Sequence, residues 1–357
     1  MVGLAEPLAK YYKRVSGSVI FVNGMHLSQL ALAMFEIDQS VDASVLSRVI
    51  NGKRLFTYSQ LNAFCQILAL GITEKYSLEQ VISRDILKRN KINPISLNEA
   101  LISDTTIIVA ALQTLRNSGN LRHAIRLAGL FERNIHKPSQ LLPILNEKVR
   151  SIGLLSKADV ALTLSKETAL KAIDISEEFG NQIDREFALM NLGGVLYVGK
   201  SNQESQDFLS IHYKNVSDQM KPQFIRTMLL NSSIIGNKAR FFGLQKTSEK
   251  LFNKISDINS KVSLLEATAR GLCILGHDVE AIDYLDQASD FYSSSSPFYQ
   301  SQLLRGKMTL LTEQQKRGKL IDLDRAKEIL GHYDKPIFKD MERHKRQVQD
   351  LFGLLKC

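Results

Sequence analysis

Residues 265–292 read LEATARGLCILGHDVEAIDYLDQASDFY, followed by Ser293 to Ser296 and Pro297. Small residues stand where two helices must approach closely, with Ala269 in the first half and Ala281 and Ala288 in the second. Gly276 falls between the halves, and Leu265, Leu272 and Leu285 fill the bulkier packing positions. The pattern predicts a helical hairpin. Such a hairpin cannot bury its apolar faces alone, so it must stack on neighbours.

Weaker copies lie upstream. Residues 109–138 carry Gly119-Asn120 at a turn and then Ala124 and Ala128, while Gly199-Lys200 and Gly236-Asn237 supply two further turns. Gly199 and Gly236 are 37 residues apart, Gly236 and Gly276 are 40 apart, and the 80 residues between Gly119 and Gly199 hold two units. These intervals are close to the roughly 34-residue period of a tetratricopeptide repeat, which the 265–292 segment resembles over most of one unit. Proline occurs only at 7, 94, 138, 143, 222, 297 and 336. The long proline-free spans, with Leu, Ala, Lys, Glu, Gln and Ile at helical spacing, read as helix after helix. Ser18 to Val22 is the one strand candidate, and the start of a buried helix explains it equally well. The expected fold is all-α, with a degenerate tetratricopeptide-like superhelix over 101–357 after a connecting segment at 73–100. It ends in a segment, 337–355, whose Met341, Val348, Leu351, Phe352 and Leu355 form one stripe, as in a capping or dimerising helix.

Residues 27–71, LSQLALAMFEIDQSVDASVLSRVINGKRLFTYSQLNAFCQILALG, have a different layout. Two short helices, a tight connection, an Asn-Gly-Lys-Arg turn and a third helix make up a helix-turn-helix unit, assigned to 1–72. The segment resembles the XRE (Cro/phage-repressor-like) family over about 45 residues. On that resemblance Ser28 caps the first helix, with Gln29 beside it at the phosphate backbone. Leu30, Ala31 and Met34 face the core, and Ser40-Val41 makes the turn. Asp42 to Ile50 is then the recognition helix, with Val41, Leu46 and Val49 inward and Ala43, Ser44, Ser47 and Arg48 toward base edges. Asn51-Gly52-Lys53-Arg54 matches the family's loop. Gly52 supplies the left-handed ending, and Lys53 and Arg54 neutralise phosphates. The chain departs from the family at Ile50, where an acidic residue is common, and upstream. Either Ser18 to Gly24 is the first helix, or the domain carries an N-terminal extension that includes Leu4 to Val15.

Composition sets limits. The 357 residues are 44% hydrophobic and 23% charged, which excludes a largely disordered chain. No apolar run approaches the roughly 20 residues of a membrane span, and MVGLAEPLAKYYKR shows no secretory signal. Three scattered cysteines, Cys65, Cys273 and Cys357, fit a reducing cytoplasm. The net charge of +9 admits nucleic acid, but residues 1–72 hold six basic and four acidic residues, so DNA contact rests on a few placed side chains. Gly194 to Ser201 fits the P-loop string letter for letter. A P-loop, however, follows a buried strand, and the upstream IDREFALMNL is helical in type. No cofactor, catalytic centre or metal site is expected: the seven histidines lack ligand spacing, and Cys65 lies on an apolar helix face.

The domain order resembles the peptide-sensing RRNPP regulators, which include the phage arbitrium receptors. The resemblance implies a cytoplasmic homodimeric transcription factor that binds double-stranded DNA and takes a short signalling peptide on its repeats. By that resemblance Asn191 and Asn231, 40 residues apart, grip the peptide backbone. Arg226 and Arg270 are placed to hold a carboxylate by bidentate pairing. Two other readings stand beside it: a repeat scaffold that never touches DNA, and a constitutive repressor whose repeats only dimerise.

Overall fold

The computed structural model describes residues 4–93, 105–155, 159–338 and 341–355. Among these, eighteen α-helices accompany one two-stranded sheet, so the chain is mostly helical, as its composition predicts. It divides into two compact units, Met1–Asn98 and Glu99–Cys357.

In the first unit, α1 (Ala5–Leu8) runs through a 3-10 turn (Ala9–Tyr11) into strand β1 (Tyr12–Val15), which pairs antiparallel with β2 (Ser18–Phe21). Tyr12 faces Phe21 in the register and Val15 faces Ser18. Ser16 and Gly17 both adopt positive φ (48° and 81°), the mirror-image turn whose twist suits a two-residue hairpin. Ser18 to Gly24 is therefore not a helix, and residues 4–15 do not form one continuous helix. The aromatic and β-branched residues of YKRV and SVIF favour a pleated, half-buried ribbon. Phe21 anchors it by packing edge-on against Phe64, 6.1 Å between ring centres, with Tyr11 beside it at 6.2 Å.

Four further helices follow: α2 (Leu27–Ile37), α3 (Ala43–Ile50), α4 (Tyr58–Ile67) and α5 (Ile72–Arg89). Helix α2 starts ahead of the expected Ser28 cap. His26 is extended (φ −75°, ψ 161°) and takes the cap position, and its backbone N–H donates to Gln29 Oε1 at 2.8 Å. Asp42 caps α3, accepting from Val45 N at 2.7 Å, and Gly52 is left-handed at φ 68°. Leu30, Met34, Val41, Leu46 and Val49 are buried as their spacing requires. Helix α5 packs on α4, so much of the expected connecting segment belongs to this unit; residues 94–100 lie outside the described residues.

The second unit is built from pairs. Helix α6 (Thr105–Asn117) pairs with α7 (Leu121–Asn134), α8 (Pro138–Leu155) with α9 (Asp159–Phe179), and α10 (Gln182–Val198) with α11 (Asn202–Tyr213). Then come α12 (Lys221–Ile235) with α13 (Lys238–Phe252), α14 (Ile258–Leu275) with α15 (Asp278–Ser289), and α16 (Pro297–Lys316) with α17 (Leu323–His332). Each first helix packs on its own partner and on the first helix of the next pair. Gly236 and Gly276 end their helices at φ 80° and 91°; at the third turn the left-handed residue is Lys200 (φ 65°), not Gly199. Close approach explains the small residues: Ala269, Ala281 and Ala288 are fully buried, and a Cβ on Gly193 or Gly271 would lie 2.4 Å from Leu209 or 2.2 Å from Phe241.

The last helix, α18 (Glu342–Gly353), packs on α16, α17 and α8. Met341, Val348 and Leu355 sit in one core cluster with Phe298, Met308 and Leu121, so the expected stripe is buried within its own chain. The array's beginning and end thus share a core.

Candidate functional site

Two places collect the chemistry. The first is the exposed face of α3. Ala43, Ser44, Arg48, Asn51 and Lys53 are exposed, Ser47 and Arg54 are half-buried, and Ser28 and Gln29 are exposed at the start of α2. The turn between α2 and α3 is pinned by polar contacts. Asp38 Oδ1 accepts from Ser40 N at 3.0 Å, and the fully buried Gln60 donates to Ser40 Oγ at 2.9 Å. Arg48 folds back, its Nη2 donating to Ser44 Oγ at 3.1 Å. The Asn51 amide donates to Ser47 O at 2.8 Å, and its oxygen accepts from Arg14 of β1 at 2.8 Å. Burial, with Arg48 nearby, pushes the pKa of the Arg54 guanidinium below its ordinary value. In the sequence Arg14 stands out only as a charge, since nothing local to KYYKRV shows that it reaches the end of α3.

The second is a cavity of about 130 Å³ inside the second unit, walled mainly by the first helices of successive pairs. It adjoins a wider one of about 570 Å³, with Arg116, Arg150, Gln223 and Tyr299 in both walls. Arg116, Arg150, Arg226 and Arg305 line the smaller cavity, and no carboxylate does among the described residues. Glu147 answers two of them from behind the wall, at 2.9 Å from Arg116 Nε and 3.0 Å from Arg150 Nη1. Burial pushes the Glu147 carboxyl up, but these two guanidiniums hold it below its ordinary range.

On the opposite side, Glu266 is fully buried and lies 3.2 Å from Arg270 Nε and 3.5 Å from Arg305 Nη2. Arg305 also donates to Gln347 of α18 at 2.9 Å. Among the described residues Arg226 makes no ion pair, Glu266 acting on it only at longer range, and its Nε is buried without a hydrogen bond. Burial and the neighbouring Arg270 push Arg305 down to about 10. Burial alone would raise the Tyr197 phenol, yet Arg270, Arg305 and Arg226 bring it below its usual value. A tyrosine made more acidic inside a protein reports local excess positive charge.

The predicted ligand residues separate. Arg226 and Asn191 line the cavity. Asn191 donates to the Asn146 carbonyl and side-chain oxygen, both at 3.2 Å, which ties α10 to α8. Asn231 is not in the wall. It is fully buried and donates to Ser205 Oγ at 2.8 Å, which in turn donates to Gly193 O at 2.7 Å. Arg270 stands behind the wall, on Glu266. The sequence reading missed Arg305, although Arg270-Gly271 and Arg305-Gly306 repeat the same dipeptide 35 residues apart. The P-loop string is the end of α10 and the turn after it. There the Gly199 amide donates to Val195 O and the Ser201 amide to Leu196 O, so neither is free to cradle phosphate. No family model matches the chain, and no curated protein is similar to it.

Proposed function

We propose that the chain is a DNA-binding transcriptional regulator controlled by a short peptide. In this reading the first unit is a helix-turn-helix domain of XRE type and the second a tetratricopeptide-like array, working as a homodimer. The observation that carries it is the arginine-lined cavity between first helices of successive pairs, with Arg226 unpaired and Asn191 beside it. The first unit supports it with a capped helix α3 that exposes Ser44 and Arg48 and is followed by the basic Lys53-Arg54 turn. Arg48 is the candidate base-edge reader, and Lys53 and Arg54 the candidate phosphate contacts. A peptide regulates such a protein only by binding one arrangement of the dimer more tightly than another.

The charge of the first unit's 1–72 segment, six basic against four acidic residues, favours a second reading in which the array is a protein-binding scaffold. One experiment separates them. Mobility shift is measured with DNA flanking the chain's own gene, with and without synthetic peptides encoded by the neighbouring reading frame. The regulator reading predicts a shift that the peptide changes and that Arg48→Ala with Lys53→Ala abolishes. A shift that survives both substitutions overturns the α3 assignment, and no shift on any fragment leaves the scaffold.

A further inference from the structure

Five arginines surround the smaller cavity or stand just behind its wall (Arg116, Arg150, Arg226, Arg270, Arg305), and two carboxylates answer them, Glu147 and Glu266. The uncompensated charge is therefore three. Arg116, Arg270 and Arg305 are buried and Arg150 and Arg226 half-buried, so water screens the excess only in part. Leaving a buried charge unpaired is costly, and guanidinium groups are best satisfied by two-oxygen anions. One carboxylate entering the cavity would leave two positive charges unanswered. Ser263 already donates to Gln302 Oε1, Thr227 to Gln223 O and Gln223 to Ser260 Oγ, so the Tyr299 hydroxyl and the Gln302 amide are the uncharged donors that suit the further oxygen atoms of a second acid. The apolar part of the wall, with Met190, Val195 and Phe298, leaves room for a short aliphatic stem.

We infer that this cavity receives the C-terminal residue of an acidic-ended peptide, an aspartate or glutamate that brings its α-carboxylate and side-chain carboxylate together. The inference rests on the peptide-binding reading above and specifies the ligand's end. Arg226, which makes no ion pair among the described residues, takes one carboxylate, and Arg305 takes the other while keeping its contact with Glu266. The preceding residues run into the wider cavity, whose wall offers Phe187, Met220, Leu251 and Ile255. Arg116 and Arg150 lie where the two cavities meet and face the last peptide bond.

The test uses the full chain, immobilised, and hexapeptides randomised at all six positions, made once with a free C-terminus and once as the C-terminal amide. Retained peptides are sequenced by mass spectrometry, and inorganic phosphate and pyrophosphate are assayed separately by thermal shift. The expected result is enrichment of about tenfold for Asp and Glu at the last position of the free-acid pool, equivalent to about 1.4 kcal/mol. The amide pool is not retained. Arg226→Gln loses the enrichment while melting as the parent does, Arg305→Gln loses it with a lowered melting temperature because Glu266 and Gln347 lose a partner, and Arg226→Lys keeps part of it. Retention of peptides with no acidic preference at the last position overturns the inference and leaves the peptide reading standing. Phosphate stabilisation with no peptide retained, or no ligand effect at all, overturns both.

Discussion

Replacing Gly271 by alanine tests the close helix packing on which the cavity's geometry depends. A Cβ at this position would lie 2.2 Å from Phe241 Cε2 and 2.9 Å from Cζ, and Phe241 is itself fully buried, so the ring has no space to retreat into. Overpacking of a full core costs about 3 kcal/mol at the upper end of its usual range. Alanine in place of a mid-helix glycine returns about 1 kcal/mol. The net expectation is a loss of about 2 kcal/mol, a fall in melting temperature of about 4–8 °C for a unit of this size. Gly243→Ala is the control. It too lies inside a helix, but nothing stands within 4 Å of its Cβ, so the propensity gain appears alone and the melting temperature rises by about 2–4 °C. Differential scanning calorimetry of the two variants gives opposite signs if α13 and α14 pack as described. A Gly271→Ala protein as stable as its parent would refute the packing.

Further expectations follow from individual groups. Asn231→Ala removes the buried bond to Ser205 and should cost about 1–2 kcal/mol in chemical denaturation without altering the C-terminal preference of retained peptides. The Asp42 carboxyl is held below its ordinary range by the Val45 N–H and then by Ser44. Its contribution is therefore complete above the unfolded value of about 4 and is lost as pH falls through the lower folded value. Hydrogen exchange of α3 amides should accelerate below that pH in the parent, and Asp42→Asn, which still caps, should flatten the response. Burial raises the Cys65 thiol to about 11 and Cys273 to about 12. Both should resist a thiol reagent at pH 8 until denaturant is added; labelling of either in the native protein contradicts their burial.

The parts of the fold legible in the sequence are those decided locally. Asp42 before ASVLSRVI, the Gly52 after it, and the Gly236 and Gly276 helix ends all declare themselves because caps and left-handed turns are short-range chemistry. The hairpin was ambiguous because a four-residue strand acquires its identity from a partner, and the Tyr12–Phe21 pairing is not written in either segment alone. His26, not Ser28, caps α2 because the backbone leaving the hairpin is already extended there. The cavity was half legible. Arg226 could be picked out, but Arg116, Arg150 and Arg305 come from helices nearly two hundred residues apart in the chain and meet only through the packing of first helices. Asn231 has the same local setting as Asn191, yet its register turns it toward α11 and Ser205.

The regulator reading depends most directly on whether the chain reads DNA sequence. The decisive measurement is selection from a randomised duplex pool by the full-length protein, followed by binding titrations of the enriched site at several salt concentrations. One enriched motif is expected, relaxed at defined positions by Arg48→Ala. A salt slope reduced by about one unit by Lys53→Ala is expected as well. A pool that emerges without enrichment, or a motif unchanged by both substitutions, would contradict the regulator reading.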